Sequence, residues 1–188
     1  MGILKERFAS KFETVSTEIK EIIKEHGNKK IGEVSLSQVY QGMRGITGLV
    51  TETSLLDSQE GIRFRGYTIP ELQEKLPKAP NGTEPLPEGL LYLMLIGNLP
   101  TAEDVQHVTN VLQRRSHVPS HVFATIEALP ISSHPMTQFV VGIMALQTES
   151  EFAKKYAKGM SKKDYWEATF DDAMILLARL PRIAAYIY

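Results

Sequence analysis

Residues 135–146 have the sequence Pro-Met-Thr-Gln-Phe-Val-Val-Gly-Ile-Met-Ala-Leu. Proline is favoured at the first position of a helix, and the segment that follows it is apolar on nearly every side. A helix of this kind needs neighbours all round, and Gly142 and Ala145 would let another helix approach closely. The stretch therefore predicts either the central core helix of a helical protein or a helix at a dimer interface.

Helical signals continue on both sides of this segment. Apolar residues recur at spacings of three and four from Leu4 to Ile22, which predicts a long amphipathic first helix. Thr101 with Asp104 imitates a capping box ahead of the helix that carries Val105 and Val108. Further helices are expected at 70–76, at 88–96, from a capping Ser120 to before Pro130, from Ser150 to Gly159, and from residue 163 onward with a kink at Pro181.

A small amount of β-structure is predicted between residues 30 and 67. Residues 30–36 form a strand-like run, and residues 49–56 and 62–67 indicate a small hairpin. The turn between the hairpin strands is Asp57-Ser58-Gln59-Glu60-Gly61. The fold class that follows is all-α with a minor β-hairpin near the N-terminus.

Composition excludes several classes of function. The net charge of -1 gives no field that would attract nucleic acid or an anionic membrane. The chain has no cysteine, which excludes disulfides, thiolate zinc sites and a cysteine nucleophile. The longest apolar run, residues 90–96, is far shorter than the roughly 20 residues of a membrane-spanning helix. We expect neither a nucleic-acid partner nor a membrane partner.

The chain ends inside an apolar segment, residues 173–188, with no capping residue, glycine or polar tail. Natural helices usually end with such signals, so we expect the sequence to be a fragment of a longer protein. An uncovered helix at 136–146 and an uncovered terminal segment at 175–188 would favour association of the fragment with itself, or marginal stability.

Few residues are spaced as the members of a catalytic or metal-binding site would be. His117 and His121 stand four apart, but Pro119 between them argues against a helical metal site, and no metal ligand is assigned. Asp171 and Asp172 are expected on a solvated face, and no catalytic residue is assigned.

Two basic positions remain as candidates for ligand contacts. Arg44 lies in a G-x-x-G-x-x-G run, Gly42 to Gly48, which is open to two interpretations: a plain turn, or an anion contact by the guanidinium. Lys162 with Lys163 forms a second small basic cluster.

Several segments, taken in order, resemble citrate synthases of the mitochondrial type from about Leu4 to Tyr188. The string from Gly61 to Tyr67 is specific to that family. The matching segments are His26-Gly27-Asn28, Val39-Tyr40-Gln41-Gly42-Met43-Arg44-Gly45, Glu52-Thr53-Ser54-Leu55-Leu56-Asp57, Glu60-Gly61-Ile62-Arg63-Phe64-Arg65-Gly66-Tyr67-Thr68-Ile69-Pro70-Glu71, Glu84-Pro85-Leu86-Pro87-Glu88-Gly89-Leu90, Pro119-Ser120-His121-Val122, His134-Pro135-Met136, Tyr165-Trp166-Glu167 and Leu180-Pro181.

The resemblance implies a nearly all-helical homodimer of the mitochondrial matrix that condenses acetyl-CoA with oxaloacetate to give citrate and CoA, without a prosthetic group. In the family, the catalytic aspartate, the two catalytic histidines and the arginines that hold citrate lie in later sequence and have no counterpart here. Residues 1–188 would then be the N-terminal part of the large domain, with its later helices and the small domain absent. Such a fragment is expected to be inactive alone.

Two residues and one helix carry over from the family by position. Arg44 matches an arginine that contacts a CoA phosphate. Lys162 falls where a second such arginine reaches across from the partner subunit; lysine keeps the charge but lacks the planar fork of arginine. The helix from Met136 to Leu146 matches a helix of the dimer interface, which favours that alternative over a core helix.

Two other functions stay open at this point. The chain could be a non-catalytic dimerisation or interaction module of the same ancestry. It could also belong to a 2-methylcitrate synthase, which uses propionyl-CoA in place of acetyl-CoA.

Overall fold

The computed structural model describes residues 2–188 and divides the chain into two compact units, one that ends at Val105 and one that begins at Gln106. Helices dominate both units, which confirms the all-α prediction. The first unit contains α1 (Ile3–His26), α2 (Leu36–Tyr40), β1 (Ser54–Asp57), β2 (Gly61–Phe64), β3 (Tyr67–Thr68), α3 (Ile69–Lys75) and α4 (Pro87–Ile96). The unit boundary falls inside α5 (Ala102–Arg115).

The second unit continues with α6 (Ser120–Glu127), α7 (Pro135–Ala145), a 3₁₀ turn (Leu146–Glu149), α8 (Glu151–Ala157), a second 3₁₀ turn (Lys162–Asp164) and α9 (Tyr165–Ile187). The predicted helices are therefore present. Pro181 lies inside α9, which continues to Ile187, and the kink there stays a prediction. In the described part of the chain, no helix combines the length and hydropathy that crossing a membrane requires.

The sheet is smaller and differently bounded than the sequence suggested. Its three strands are antiparallel in the order β1-β2-β3, with Ser54 opposite Phe64 and Arg63 opposite Thr68. The Asp57 carboxylate accepts the backbone N–H groups of Gln59 at 2.7 Å and Glu60 at 2.9 Å, which closes the predicted turn.

The strand predicted at residues 30–36 is wrong. Residues 29–35 have no regular structure, and α2 follows them. Ser35 and Gln38 form a capping box, which commits the chain to a helix at the point where a strand was expected to end. Ile31 and Val34 are exposed, so no partner strand or core covers this run.

The core of the first unit joins the sheet to α3 and α4. Thr68 and Glu71 form the capping box that starts α3, with the backbone N–H of Thr68 donating to Glu71 at 2.8 Å. The Arg65 guanidinium donates to the carbonyl of Met94 in α4 at 2.7 Å. The backbone of Arg65 is in the left-handed region, with a φ of +48°. The core cluster comprises Leu72, Leu76 and Leu93, with Phe64, Tyr67, Leu90 and Leu99 packed on it.

The capping box predicted for α5 is present and carries a second role. Thr101 donates its backbone N–H to Asp104 at 3.0 Å, and Asp104 also accepts from the Arg7 guanidinium of α1. Burial would raise the pKa of Asp104, but the hydrogen bonds from Thr101 and Arg7 outweigh it and hold the pKa below its usual value. The ionised form is the one that is stabilised, so protonation of Asp104 in acid removes this contribution.

The core of the second unit lies between α6, α7 and α9. It comprises Val118, Val122, Ile126, Leu146 and Ile183. Among the described residues of α7, only Gly142 is buried, and Met136, Val140 and Met144 are 59%, 53% and 66% exposed. Because one face of α7 is open, the central-core interpretation is wrong for this chain.

The helix ends of the second unit follow local signals with one exception. His134 caps α7, its Nδ1 accepting the backbone N–H of Met136 at 3.1 Å, and Ser150 caps α8. Gly159 follows α8 with a φ of +82°. Ser120 was expected to cap α6, but it is the first helical residue and Pro119 holds the cap position. Proline has no side-chain oxygen, so the first turn of α6 has no side-chain capping hydrogen bond.

Candidate functional site

Arg44 lies on a tight turn that follows α2. Gly42, Met43 and Gly45 all have positive φ angles, of 75°, 62° and 72°. The backbone N–H of Met43 donates to the carbonyl of Gln38 at 2.8 Å, and this bond closes the turn. Left-handed backbone explains the glycines at positions 42 and 45, since glycine adopts this conformation without steric cost.

The Arg44 side chain is exposed to solvent. Among the described residues it has no hydrogen-bond or ion-pair partner, while its own carbonyl accepts from the Gln38 amide at 3.5 Å. The turn therefore fixes the backbone of Arg44 and leaves its guanidinium available to an anion. Both interpretations of this turn from the sequence are compatible with that geometry.

Lys162 begins the 3₁₀ turn between α8 and α9 and is also exposed. Ten residues around it, 154–163, contain five lysines and no acidic residue: Lys154, Lys155, Lys158, Lys162 and Lys163. Lys158 is exposed as well. Only the last two of these lysines were predicted as a basic cluster, although the whole run of like charge predicts a local positive field.

The segment around Lys162 is held in a defined conformation. Gly159 and Met160 close the end of α8, the N–H of Met160 donating to the carbonyl of Lys155 at 3.2 Å. This is the six-to-one bond of a Schellman motif, with Gly159 in the left-handed conformation. The N–H of Asp164 donates to the carbonyl of Ser161 at 2.9 Å and closes the 3₁₀ turn that precedes α9.

Asp172 of α9 binds the N-terminus of α8. Its carboxylate accepts the Ser150 hydroxyl at 2.6 Å and the backbone N–H groups of Glu151 at 2.7 Å and Phe152 at 3.0 Å. The expectation that Asp172 lies on a solvated face is therefore wrong. Its partners stand about 20 residues earlier in the chain, and no local pattern indicates such a contact.

Three aromatic rings pack the same two helices together. Phe152 stacks on Tyr156 with ring centroids 5.9 Å apart, and its ring meets that of Tyr165 edge-on at 5.1 Å. Tyr156 and Tyr165 are 6.1 Å apart. Tyr165 is the first residue of α9, so the aromatic cluster lies where the segment that carries Lys162 joins that helix.

A cavity of about 190 Å³ lies beside α9, and Arg179 contributes to its wall. The Arg179 side chain is only 12% exposed, and its Nη2 is 3.9 Å from the nearest oxygen of Glu149. The Nε and Nη1 atoms are buried with no hydrogen-bond partner among the described residues. The other wall residues are Ile143, Leu146, Gln147, Glu149, Ser150, Asp172, Ile175 and Leu176.

An apolar groove of about 310 Å³ lies between α7 and the end of α9. Its lining includes Met136, which also belongs to the exposed face of α7. We call the residues Met136, Val140 and Met144 the open face of α7.

Metal binding has no support in the described residues, where no group of three or more potential ligands forms. The Nε2 of His121 is 3.0 Å from the carbonyl of Ala145, and His134 caps α7. These contacts account for two of the five histidines without a ligand.

The model of the family described as "Citrate synthase, C-terminal domain" matches residues 42–188. A mitochondrial citrate synthase of Daucus carota is 55% identical over 90% of this chain and 36% of its own length. A mitochondrial citrate synthase of Saccharomyces cerevisiae is 54% identical over 98% of this chain and 39% of its own length. A mitochondrial 2-methylcitrate synthase of Yarrowia lipolytica is 51% identical over 98% of this chain and 40% of its own length.

Two solved structures with a similar fold are citrate synthases. A citrate synthase from Pyrobaculum aerophilum matches 85% of this chain and 39% of its own chain with a TM-score of 0.64 and 24% identity. A ternary complex of the Thermoplasma acidophilum citrate synthase with carboxymethyl coenzyme A and oxaloacetate matches 79% of this chain and 35% of its own, with a TM-score of 0.60 and 19% identity. The chain thus spans about two fifths or less of the proteins that it matches.

Proposed function

The chain belongs to the citrate synthase family, and we propose that it is the N-terminal part of an enzyme that condenses acetyl-CoA with oxaloacetate to give citrate and CoA. The observation that supports this most strongly is 54% identity to a mitochondrial citrate synthase across 98% of the chain. Residues 1–188 would form an incomplete large domain. The mitochondrial matrix is the proposed location, because the citrate synthases of Daucus carota and Saccharomyces cerevisiae named above are mitochondrial.

The proposed part of this chain in the reaction is to bind the acyl carrier. CoA carries phosphates, and one archaeal relative was solved with a CoA derivative. Arg44 and Lys162 are exposed cations with no partner among the described residues, so neither has to give up an internal ion pair to bind a phosphate. Charge-assisted hydrogen bonds of this type contribute about 1.5–3 kcal/mol.

Replacement of Arg44 by alanine in the parent enzyme is expected to raise the KM for acetyl-CoA by about 10- to 100-fold, because one guanidinium–phosphate contact is lost. The KM for oxaloacetate should not change. Acetyl-pantetheine lacks the nucleotide phosphates, so the native enzyme and the Arg44→Ala variant should use it equally well. Initial rates of thiol release measure all three quantities.

Arg114→Ala is the matched control for this experiment. Arg114 is also an exposed arginine, and its Nε donates to the carbonyl of Asn110 one turn earlier in α5. If Arg44→Ala and Arg114→Ala changed the KM for acetyl-CoA equally, the phosphate role of Arg44 would be excluded.

The isolated 188-residue chain should release no thiol at any substrate concentration, since the catalytic residues of the family lie in later sequence.

We also propose a homodimer that forms through the helix from Met136 to Leu146. The open face of α7 leaves more than half of three large apolar side chains in water, and burial of the exposed part of each is worth about 1–2 kcal/mol. A second copy of the same helix, packed antiparallel, would cover this face symmetrically, as the closed two-fold symmetry of most homodimers requires.

Met144→Glu is expected to weaken self-association of the chain by about 100-fold, because the dimer would bury an unpaired carboxylate. Sedimentation equilibrium over a range of concentrations measures the dissociation constant. Ile131→Glu is the control, since Ile131 is fully exposed outside α7. A native chain that stays monomeric at high concentration would contradict the proposal.

One other substrate has specific support. A 2-methylcitrate synthase is 51% identical to this chain, only slightly less than the citrate synthases. The ratio of kcat/KM for acetyl-CoA to that for propionyl-CoA in the parent enzyme separates the two functions. A non-catalytic dimerisation module is the remaining alternative, and formation of citrate by the parent protein would exclude it.

A further inference from the structure

Asp172 lies outside the proposed contacts with CoA, yet its geometry controls the segment that carries one of them. Residues 158–164 connect α8 to α9, and Lys162 lies within this connection. One end of the connection depends on where α8 points. The other end is the first turn of α9.

The carboxylate of Asp172 fixes the direction of α8. It accepts two backbone N–H groups in the first turn of the helix, at 2.7 Å and 3.0 Å, and the hydroxyl of the capping residue at 2.6 Å. Ser150 in turn accepts the backbone N–H of Ala153 at 3.0 Å. Bonds to backbone groups hold the helix axis itself, and a negative charge is favourable at this end of a helix.

The aromatic cluster of Phe152, Tyr156 and Tyr165 restrains the other end of α8. Tyr156 is in the last turn of α8 and Tyr165 begins α9, so their contact brings the two ends of the connection together. With both ends of α8 held against α9, the seven connecting residues have little freedom. The bonds from Met160 to Lys155 and from Asp164 to Ser161 restrict the connection further.

From this arrangement we propose that Asp172 is a positioning residue for CoA binding: it orients α8 so that Lys162 is presented to a phosphate. The proposal rests on the proposed function, because Lys162 must contact CoA for its position to matter. Lys162 is a single long cation on a short turn, and a small rotation of α8 would move its ammonium group away from a fixed phosphate.

Asp172→Asn tests the proposal, since asparagine keeps the shape but has one accepting oxygen where the carboxylate has two. In the parent enzyme, the KM for acetyl-CoA is expected to rise about 5- to 10-fold, while the KM for oxaloacetate and the rate with acetyl-pantetheine stay unchanged. In a Lys162→Ala background, Asp172→Asn should add no further change, because the group that it positions is gone. A purely structural role of Asp172 would give additive losses in the two backgrounds.

Hydrogen exchange gives a readout that is independent of activity. Amides of residues 151–164 should exchange faster in Asp172→Asn, while those of α6 and α7 keep their protection. Glu149→Gln is the control: Glu149 is next to the capping serine and shares the cavity wall, but its carboxylate does not bond to α8. If Asp172→Asn fails to fold, Ser150→Ala removes one bond to the carboxylate, together with the cap bond from Ala153, and leaves the two backbone bonds to Asp172.

The outcomes separate the two proposals. If Lys162→Ala raises the KM for acetyl-CoA and Asp172→Asn does not, the positioning role is overturned while the CoA contact stands. Faster exchange throughout the second unit would also overturn it, since Asp172 would then support the unit as a whole. If Lys162→Ala leaves acetyl-CoA unaffected, the phosphate contact of Lys162 fails, and the positioning proposal fails with it.

Discussion

Replacement of Ile183 by alanine is expected to lower the free energy of unfolding of the second unit by about 4 kcal/mol. Ile183 is completely buried at the centre of the cluster formed by α6, α7 and α9. Loss of three carbons there removes transfer free energy and leaves a cavity that the surrounding helices can fill only in part. A whole domain is stable by about 5–15 kcal/mol, so the variant should unfold at low urea concentration.

The chain contains one tryptophan, Trp166 in the first turn of α9, and its fluorescence reports on the second unit. Urea titration followed at this residue measures the change directly. Leu177→Ala on the same helix is the control, because Leu177 is 41% exposed and should lose no more than about 1 kcal/mol. Equal losses at the two positions would mean that Ile183 is not at the core.

Gly142→Val should destabilise the second unit by about 3 kcal/mol, by crowding instead of by leaving a cavity. A Cβ atom at Gly142 would stand 2.9 Å from the Cδ1 of Ile126 and 3.1 Å from the Cγ2 of Ile183. These distances are shorter than van der Waals contact, and a valine would add two further methyl groups. The same titration at Trp166 measures the loss. Thr137→Val, at an exposed position of α7, is the matched control and should change stability little.

A double-mutant cycle identifies the atom that is responsible. Ile126→Val removes the Cδ1 that the new side chain would meet first, so the losses from Gly142→Val and Ile126→Val should add to more than the loss in the double variant. Strictly additive losses would show that the crowding arises elsewhere. Gly142→Ala should change stability less. Alanine is favoured over glycine in a helix by about 1 kcal/mol, and this gain opposes the cost of the close contact that its Cβ makes.

Signals that act over a few residues were sufficient to predict most helices. The capping box at Thr101, the cap at Ser150 and the glycine after α8 depend on groups within one or two turns of each other. The strand predicted at 30–36 failed for the complementary reason. A strand needs a partner, and the alternation of residues in that run does not show whether one is present.

The candidate site divides in the same way. The glycines around Arg44 indicate a turn because positive φ is a local property. The phosphate proposed as the ligand of Arg44 rests on the family resemblance. The bond from Arg65 to Met94 spans 29 positions, and the bonds of Asp172 to α8 span about 20. Contacts of that length depend on how helices pack, so no spacing in the sequence predicts them. The openness of α7 was also invisible, since an all-apolar helix has the same sequence pattern whether protein covers every side of it or not.

The open face of α7 also constrains biosynthesis. Met136, Val140 and Met144 leave the ribosome together, as one apolar stripe, before any later residue can shield them. Until that stripe is covered, nascent chains can aggregate through it, and chaperones that bind apolar stripes compete with the dimer proposed above. The yield of native protein therefore depends on how soon α7 is shielded after it emerges.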